Sequence, residues 1–287
     1  MRVGVQVSIS GKIYFSIERA KQLGCNTIQI FARNPRQFRR GYLKEEDVRI
    51  FKRELKKSKI SPLVVHTPYT LNLASRKNFL YHISIREFTK DIKEAHRLGA
   101  QYIVIHPGSF RGNKEEGLRR IIYALRIVLK NTTNCSTQIL LENTAGEGSV
   151  LGAEISQYSF IFRRLRNIQR IGLCLDTAHA WCAGYKINTK KGLDSFLEEI
   201  DEEIGIARIK IIHLNDTQSE LGSRHDRHFH IGKGKIGLQG FKLIVNHRYL
   251  RNLPFILETP KKKELDDEHN LIMVRRLYRN ELYQRNR

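Results

Sequence analysis

The sequence predicts an α/β protein built as a single-domain (β/α)8 (TIM) barrel, and three observations carry that expectation. Six apolar stretches each end in a His, Asp or Glu: PLVVH at His66, YIVIH at His106, QILLE at Glu142, IGLCLD at Asp176, IKIIH at His213 and PFILE at Glu258. These end residues follow one another at 40, 36, 34, 37 and 45 positions, about the length of a strand, a crossover helix and two loops. The stretches are rich in Val, Ile and Leu, as strands of a parallel sheet buried on both faces must be. An open doubly wound sheet would gather only a few strand ends at its switch point. Six ends aimed at one place need a closed ring.

Taken in order, strands are expected near 2–7, 27–31, 61–66, 102–106, 138–142, 171–176, 209–213 and 254–258. Helical periodicity fills the intervals at 13–23, 45–58, 79–98, 114–130, 154–166, 192–203 and 238–247. Gly24 and Gly99 stand where a left-handed helix cap is expected. Residues 1–287 are read as one barrel domain, because no Pro/Gly/Ser-rich linker cuts the repeat. An additional basic helix is expected at about 265–287, with Leu271, Ile272, Val274, Leu277 and Tyr278 as its apolar face.

No apolar run approaches the roughly 18 residues of a membrane span, and the chain opens on a strand pattern, not a signal peptide. The four cysteines, Cys25, Cys135, Cys174 and Cys182, form no CxxC or disulfide framework and fit a reducing cytoplasm. Cys174 reads as a small buried hydrophobe inside a strand, and Cys182 reads the same way despite its place near His179. With 51 Lys and Arg against 29 Asp and Glu, the formal net charge is +22. Charge of that size attracts polyanions, nucleic acid foremost.

Three more candidate metal ligands lie just past strand ends: His179 in Asp-Thr-Ala-His, and Asp226 and His228 in Arg-His-Asp-Arg-His. The nine groups, five His, two Asp and two Glu, exceed what one tetrahedral ion uses, so two or three ions are expected. Mixed imidazole and carboxylate ligands suit zinc, manganese or iron better than calcium or magnesium. Burying so many ionisable groups without such a counter-charge would be costly.

The segments His-Pro-Gly-Ser (106–109), Leu-Glu-Asn-Thr-Ala-Gly (141–146), Asp-Thr-Ala-His (176–179), His-Leu-Asn-Asp (213–216), Asp-Arg-His (226–228) and Leu-Glu-Thr-Pro (257–260) occur in order. Together they resemble the endonuclease IV family (AP endonuclease family 2) of the xylose-isomerase-like barrels, over about residues 2–261. The resemblance implies a metal-dependent apurinic/apyrimidinic endonuclease of base-excision repair. It would hydrolyse the phosphodiester 5′ to an abasic site, leaving a 3′-hydroxyl and a 5′-deoxyribose phosphate, with 3′-end trimming as an accompanying activity. It also implies three Zn2+ sites, with Mn2+ an alternative occupant. The first would use His66, His106 and Glu142, the second Glu142, Asp176, His213 and Glu258, and the third His179, Asp226 and His228. Glu142, as the bridging carboxylate, is the candidate to orient or deprotonate water, and Glu258 is taken as catalytic beside it.

The expected partner is double-stranded DNA containing abasic sites, bound by a cytoplasmic monomer with no obligatory protein partner. The segment 31–40 interleaves four arginines with two aromatics, a composition that grips phosphates and stacks on bases. Within it, Arg36 matches a family arginine that enters the base stack, and Tyr69 matches a family tyrosine that wedges into the minor groove. Lys233 and Lys235, in Gly-Lys-Gly-Lys-Ile-Gly, are further candidate phosphate contacts. The chain departs from the family pattern at Thr70, Gln6 and Ala178, none of them a ligand position. A sugar isomerase of the same barrel class is the alternative reading, but it has no need of a +22 chain or five histidines.

Overall fold

The computed structural model describes residues 1–31, 33–34, 43–165 and 168–278. Eight parallel strands close into a barrel: β1 (Arg2–Val7), β2 (Ile28–Phe31), β3 (Leu63–His66), β4 (Tyr102–Ile105), β5 (Gln138–Glu142), β6 (Ile171–Asp176), β7 (Ile209–His213) and β10 (Pro254–Leu257). Each pairs with its sequence neighbour in the ring, and β10 closes it on β1 through registers such as Val3 with Phe255 and Val5 with Leu257. All eight strands therefore present their C-terminal ends at one mouth.

The crossover helices α1 (Phe15–Gln22), α2 (Glu45–Ser58), α3 (Asn78–Leu98), α4 (Lys114–Asn131), α5 (Ile155–Arg163), α7 (Lys190–Ile204) and α8 (Gly237–Asn246) surround the barrel. Local chemistry sets their ends. Helix α2 opens on Glu45, Glu46 and Asp47 and closes on Lys56 and Lys57, which suits both poles of its dipole. Asn113 caps α4 by accepting from the Glu115 N–H, and Thr189 caps α7 by accepting from the Gly192 N–H. Gly99 ends α3 at φ 84°, a left-handed position that a side chain would strain. Expected and observed boundaries agree within a few residues. The largest difference is α5, which ends at Arg163 because Arg164 and Leu165 tighten onto the carbonyls of Ile161 and Phe162.

Two features lie outside the expected repeat. A short helix, α6 (Thr177–Ala183), begins directly at the end of β6, and a two-stranded antiparallel ribbon joins β8 (Asp216–Thr217) to β9 (His228–Phe229). Both are too short for a periodic signal, and both lie over the barrel mouth. The helix expected near the C-terminus is α9 (Asp266–Leu277), packed through buried Leu271 and Val274. It opens on Asp266, Asp267 and Glu268 and closes on Arg275 and Arg276; residues 279–287 lie outside those described. No helix among the described residues is long and apolar enough to cross a membrane.

Beyond β2, Arg33 is tied to Asp91 of α3 by two buried contacts, Nε to Oδ1 at 2.8 Å and a terminal nitrogen to Oδ2 at 2.9 Å. Arg33→Ala would remove both of these contacts from the buried Asp91 carboxylate. The expected cost is about 3–5 kcal/mol in chemical denaturation. A loss below about 1 kcal/mol would show that the pair is well solvated.

Candidate metal centre

Alternation along a strand returns a side chain to the same face every second residue. In the barrel this produces two stacked layers. The lower layer is Val64, Val104, Leu140, Cys174, Ile211 and Ile256, all fully buried. Two residues further along each segment stand His66, His106, Glu142, Asp176, His213 and Glu258. An apolar floor thus underlies an ionisable ring, and the thiol of Cys174, pushed up to about 12 by burial, belongs to the floor. Cys182 is also buried, its thiol raised by burial and set against the His225 carbonyl.

Glu142 lies at the centre of the ring. His66 Nε2 and His106 Nε2 are 3.1 and 3.0 Å from its Oε2, and His213 Nδ1 is 3.0 Å from its Oε1. His213 Nδ1 is also 3.2 Å from Glu258 Oε2. Helix α6 brings in His179, because Asp176 caps that helix by accepting from the His179 N–H at 2.8 Å. The ribbon brings in the rest: His179 Nε2 lies 3.1 Å from Asp226 Oδ2, and His228 Nε2 lies 3.2 Å from Asp226 Oδ1 and 3.6 Å from Asp176 Oδ2.

Four groups of donor atoms converge among the described residues, each within 4.8 Å: His66, His106 and Glu142; Glu142, Asp176, His213 and Glu258; Asp176, His179 and His228; and Glu142, Cys174 and His213, the last drawing in the thiol of the floor. The first two coincide with the expected sets. In the third, Asp176 joins the two histidines, while Asp226 flanks them through the contacts above.

Hydrogen bonding prepares these groups to bind cations. His66 Nδ1 donates to the Thr67 carbonyl at 2.7 Å and His179 Nδ1 to the Asn143 carbonyl at 2.8 Å, while His228 Nδ1 faces the Glu258 carbonyl at 3.4 Å. A proton held on the outer nitrogen leaves the inner one with a lone pair directed into the cluster. His228 Nε2 is buried, close to two carboxylates, and makes no hydrogen bond among the described residues. That is the environment of a ligand nitrogen, and the chemistry of the donor set fits zinc-type ions.

Electrostatics agree. Burial would raise the Glu142 carboxyl, yet His213 and then His106 hold it well below the ordinary carboxylate range. Burial opposes a charge on His179, but Asp176 and Asp226 push its pKa well above the usual imidazole value. The field at the mouth therefore favours positive charge.

Several supporting side chains were not singled out from sequence. Asn143 accepts from the Asp176 N–H at 2.6 Å and donates to its carbonyl at 3.0 Å. Asn215 donates to Asp176 Oδ2 at 2.7 Å and accepts from the Glu258 N–H at 2.8 Å. The buried Tyr158 hydroxyl donates to the Glu142 carbonyl at 2.7 Å. Both asparagines lie inside the motifs 141–146 and 213–216, beside candidate ligands, the one signal that could have marked them. Gln29, on β2, bonds to both His213 and Glu258, and nothing in its apolar strand distinguished it.

Among the candidate DNA contacts, Tyr69 is 64% exposed, with its ring centroid 5.8 Å from that of His66 and 6.4 Å from that of His106. It stands at the lip of the ring. Lys233 and Lys235 are exposed on a loop shaped by buried Asp216, which accepts from the N–H groups of Gly234 at 2.9 Å and Ile236 at 3.0 Å. A Cβ at Gly234 would lie 2.3 Å from the Thr217 carbonyl, so only glycine fits there. Lys235 is ion-paired with Glu220. Arg36 and most of its arginine-rich segment lie outside the described residues. Of the departures from the family pattern, Gln6 Oε1 and Thr70 Oγ1 are buried without hydrogen-bond partners among the described residues, and Ala178 is buried within α6.

Residues 17–277 match the family model described as “Xylose isomerase-like TIM barrel”. The chain is 40% identical over 277 residues to a protein of Halothermothrix orenii named “Probable endonuclease 4”, covering 96% of this chain and 99% of that one. It is 41% identical over 278 residues to an Aquifex aeolicus protein of the same name, covering 96% and 98%. The crystal structure of endonuclease IV from Thermus thermophilus superposes with a TM-score of 0.87 at 34% identity, covering 96% of this chain and 98% of that one.

Proposed function

Since the chain belongs to the endonuclease IV family of xylose isomerase-like TIM barrels, we propose that it is a metal-dependent endonuclease that cuts double-stranded DNA on the 5′ side of abasic sites. The products would be a 3′-hydroxyl and a 5′-deoxyribose phosphate. The observation that carries the reading is the convergence of the three His-and-carboxylate donor groups on one barrel mouth, sharing Glu142 and Asp176 between them.

His66, His106 and Glu142 would hold one ion, Glu142, Asp176, His213 and Glu258 a second, and His179, His228 and Asp226 a third, with Asp176 adjacent to it. When bound, zinc-type ions supply water activation at neutral pH and neutralise charge on the phosphoryl oxygens and the leaving O3′. The remaining work falls to the chain. Glu142 Oε1 and Oε2 face different imidazoles, so its carboxylate can span two positions and accept a proton from the attacking water. The Glu258 carboxylate reaches the same space through Oε2. Tyr69 offers an aromatic face at the lip, suited to filling the gap left by a missing base. The net charge of +22 draws DNA to the surface.

The test is a duplex carrying one tetrahydrofuran abasic analogue, incubated with purified protein whose metal content has been measured. Incision 5′ to the analogue, with two to three transition-metal ions per chain, is expected. Turnover of aldoses or ketoses with no nicking would replace this reading with a sugar isomerase. Tyr69→Ala should weaken binding to the abasic duplex by about tenfold or more, from the roughly 1–3 kcal/mol of an aromatic stacking contact. Its metal content should not change. Equal affinity for the lesion duplex would remove Tyr69 from recognition.

A further inference from the structure

The anchored histidines of the ring do not share one kind of anchor. His66, His179 and His228 turn their outer nitrogens to main-chain carbonyls. His213 instead uses a side chain: its Nε2 lies 2.8 Å from Gln29 Oε1, and Gln29 Nε2 lies 2.6 Å from Glu258 Oε1. Gln29 is fully buried and comes from β2, a strand that brings no ligand. An amide has one accepting end and one donating end. The carboxylate of Glu258 can only accept, so the NH2 end must face it. The carbonyl end then faces the imidazole and can only accept, which places the His213 proton on Nε2. His213 Nδ1 is left with a lone pair directed between Glu142 Oε1 and Glu258 Oε2, at 3.0 and 3.2 Å. The second bond fixes the rotation of Glu258, leaving Oε2 for the cluster.

We infer that Gln29 is the positioning residue for the ion held by Glu142, Asp176, His213 and Glu258, setting at once the tautomer of one ligand and the orientation of another. The inference rests on the reading that this group binds a divalent transition metal. A packing role would need only the bulk of the side chain. The adjacent glutamine across the β1–β2 pairing, Gln6, leaves its buried Oε1 without a partner among the described residues, so the hydrogen-bond chain ends at Gln29 and is not handed on to β1. Outer partners of metal ligands of this kind are worth roughly 10–100-fold in metal affinity.

Zinc-loaded wild-type protein and Gln29→Met are compared by titration with a chromogenic chelator at fixed pH, without DNA. Methionine keeps the length and volume and removes both bonds. One zinc equivalent should be lost at an affinity about 10–100-fold weaker than wild type, the others being unchanged. Wild-type affinity for every equivalent in folded Gln29→Met overturns the inference. Should the variant not fold, long-range 1H–15N correlation of His213 in zinc-loaded wild type decides the matter: a proton on Nε2 supports the assignment, and one on Nδ1 overturns it. Wild-type protein that binds no zinc defeats the metal reading itself. Wild type that binds zinc and nicks abasic DNA, beside a variant of undiminished zinc affinity, defeats only the role of Gln29.

Discussion

Glu258→Gln is expected to slow abasic-site incision by about 10³-fold while leaving affinity for the abasic duplex within about threefold of wild type. The size follows from the several kcal/mol that a charge positioning catalytic metals supplies, at roughly 1.36 kcal/mol per tenfold in rate. The substitution keeps the shape of the side chain but removes the negative charge that Glu258 Oε2 presents 3.2 Å from His213 Nδ1. DNA affinity should survive because, in the proposed function, it comes from the cationic surface and the lip residues, and not from Glu258. Single-turnover incision and equilibrium binding, measured on one preparation of known metal content, separate the two effects. Incision within a few-fold of wild type would exclude Glu258 from the chemistry.

Stripping the metals with a strong chelator should abolish incision and lower Tm by roughly 5–15 °C, since each ion held at about 100 times its Kd stabilises the native state by about 2.7 kcal/mol. The barrel itself should survive that loss, because the closed strand ring and its buried apolar floor do not depend on the donor residues. Readdition of zinc should restore both Tm and incision. An unchanged melting curve with full activity after verified metal loss would contradict the assigned role of the site.

The parts legible in the sequence were those written with a period. Candidate ligands at the ends of apolar runs, recurring at one strand-helix interval, disclosed both the closed ring and its mouth. His179 was recognisable as a candidate because it follows Asp176 by three residues, but the helix that carries it was not. A seven-residue helix and a ribbon of two-residue strands are below the length at which periodicity speaks. Gln29 was illegible for a different reason. Its partners are 184 and 229 positions away, and a polar residue in an apolar strand does not state what it faces. Asn143 and Asn215 lay inside segments already noted, masked by the ionisable residues beside them.

Closure of the ring has a consequence for biosynthesis. The strand that seals the barrel against β1 is β10, and the next residue after it is Glu258. A growing chain that has emerged only through β7 has an open sheet, with His213 lacking the Glu258 that stands beside it in the finished ring. The donor set is therefore completed in the same event that completes the fold. Hydrolytic competence should be all-or-none along the chain, conferred by the last strand to arrive, so an unfinished copy would be an inert one.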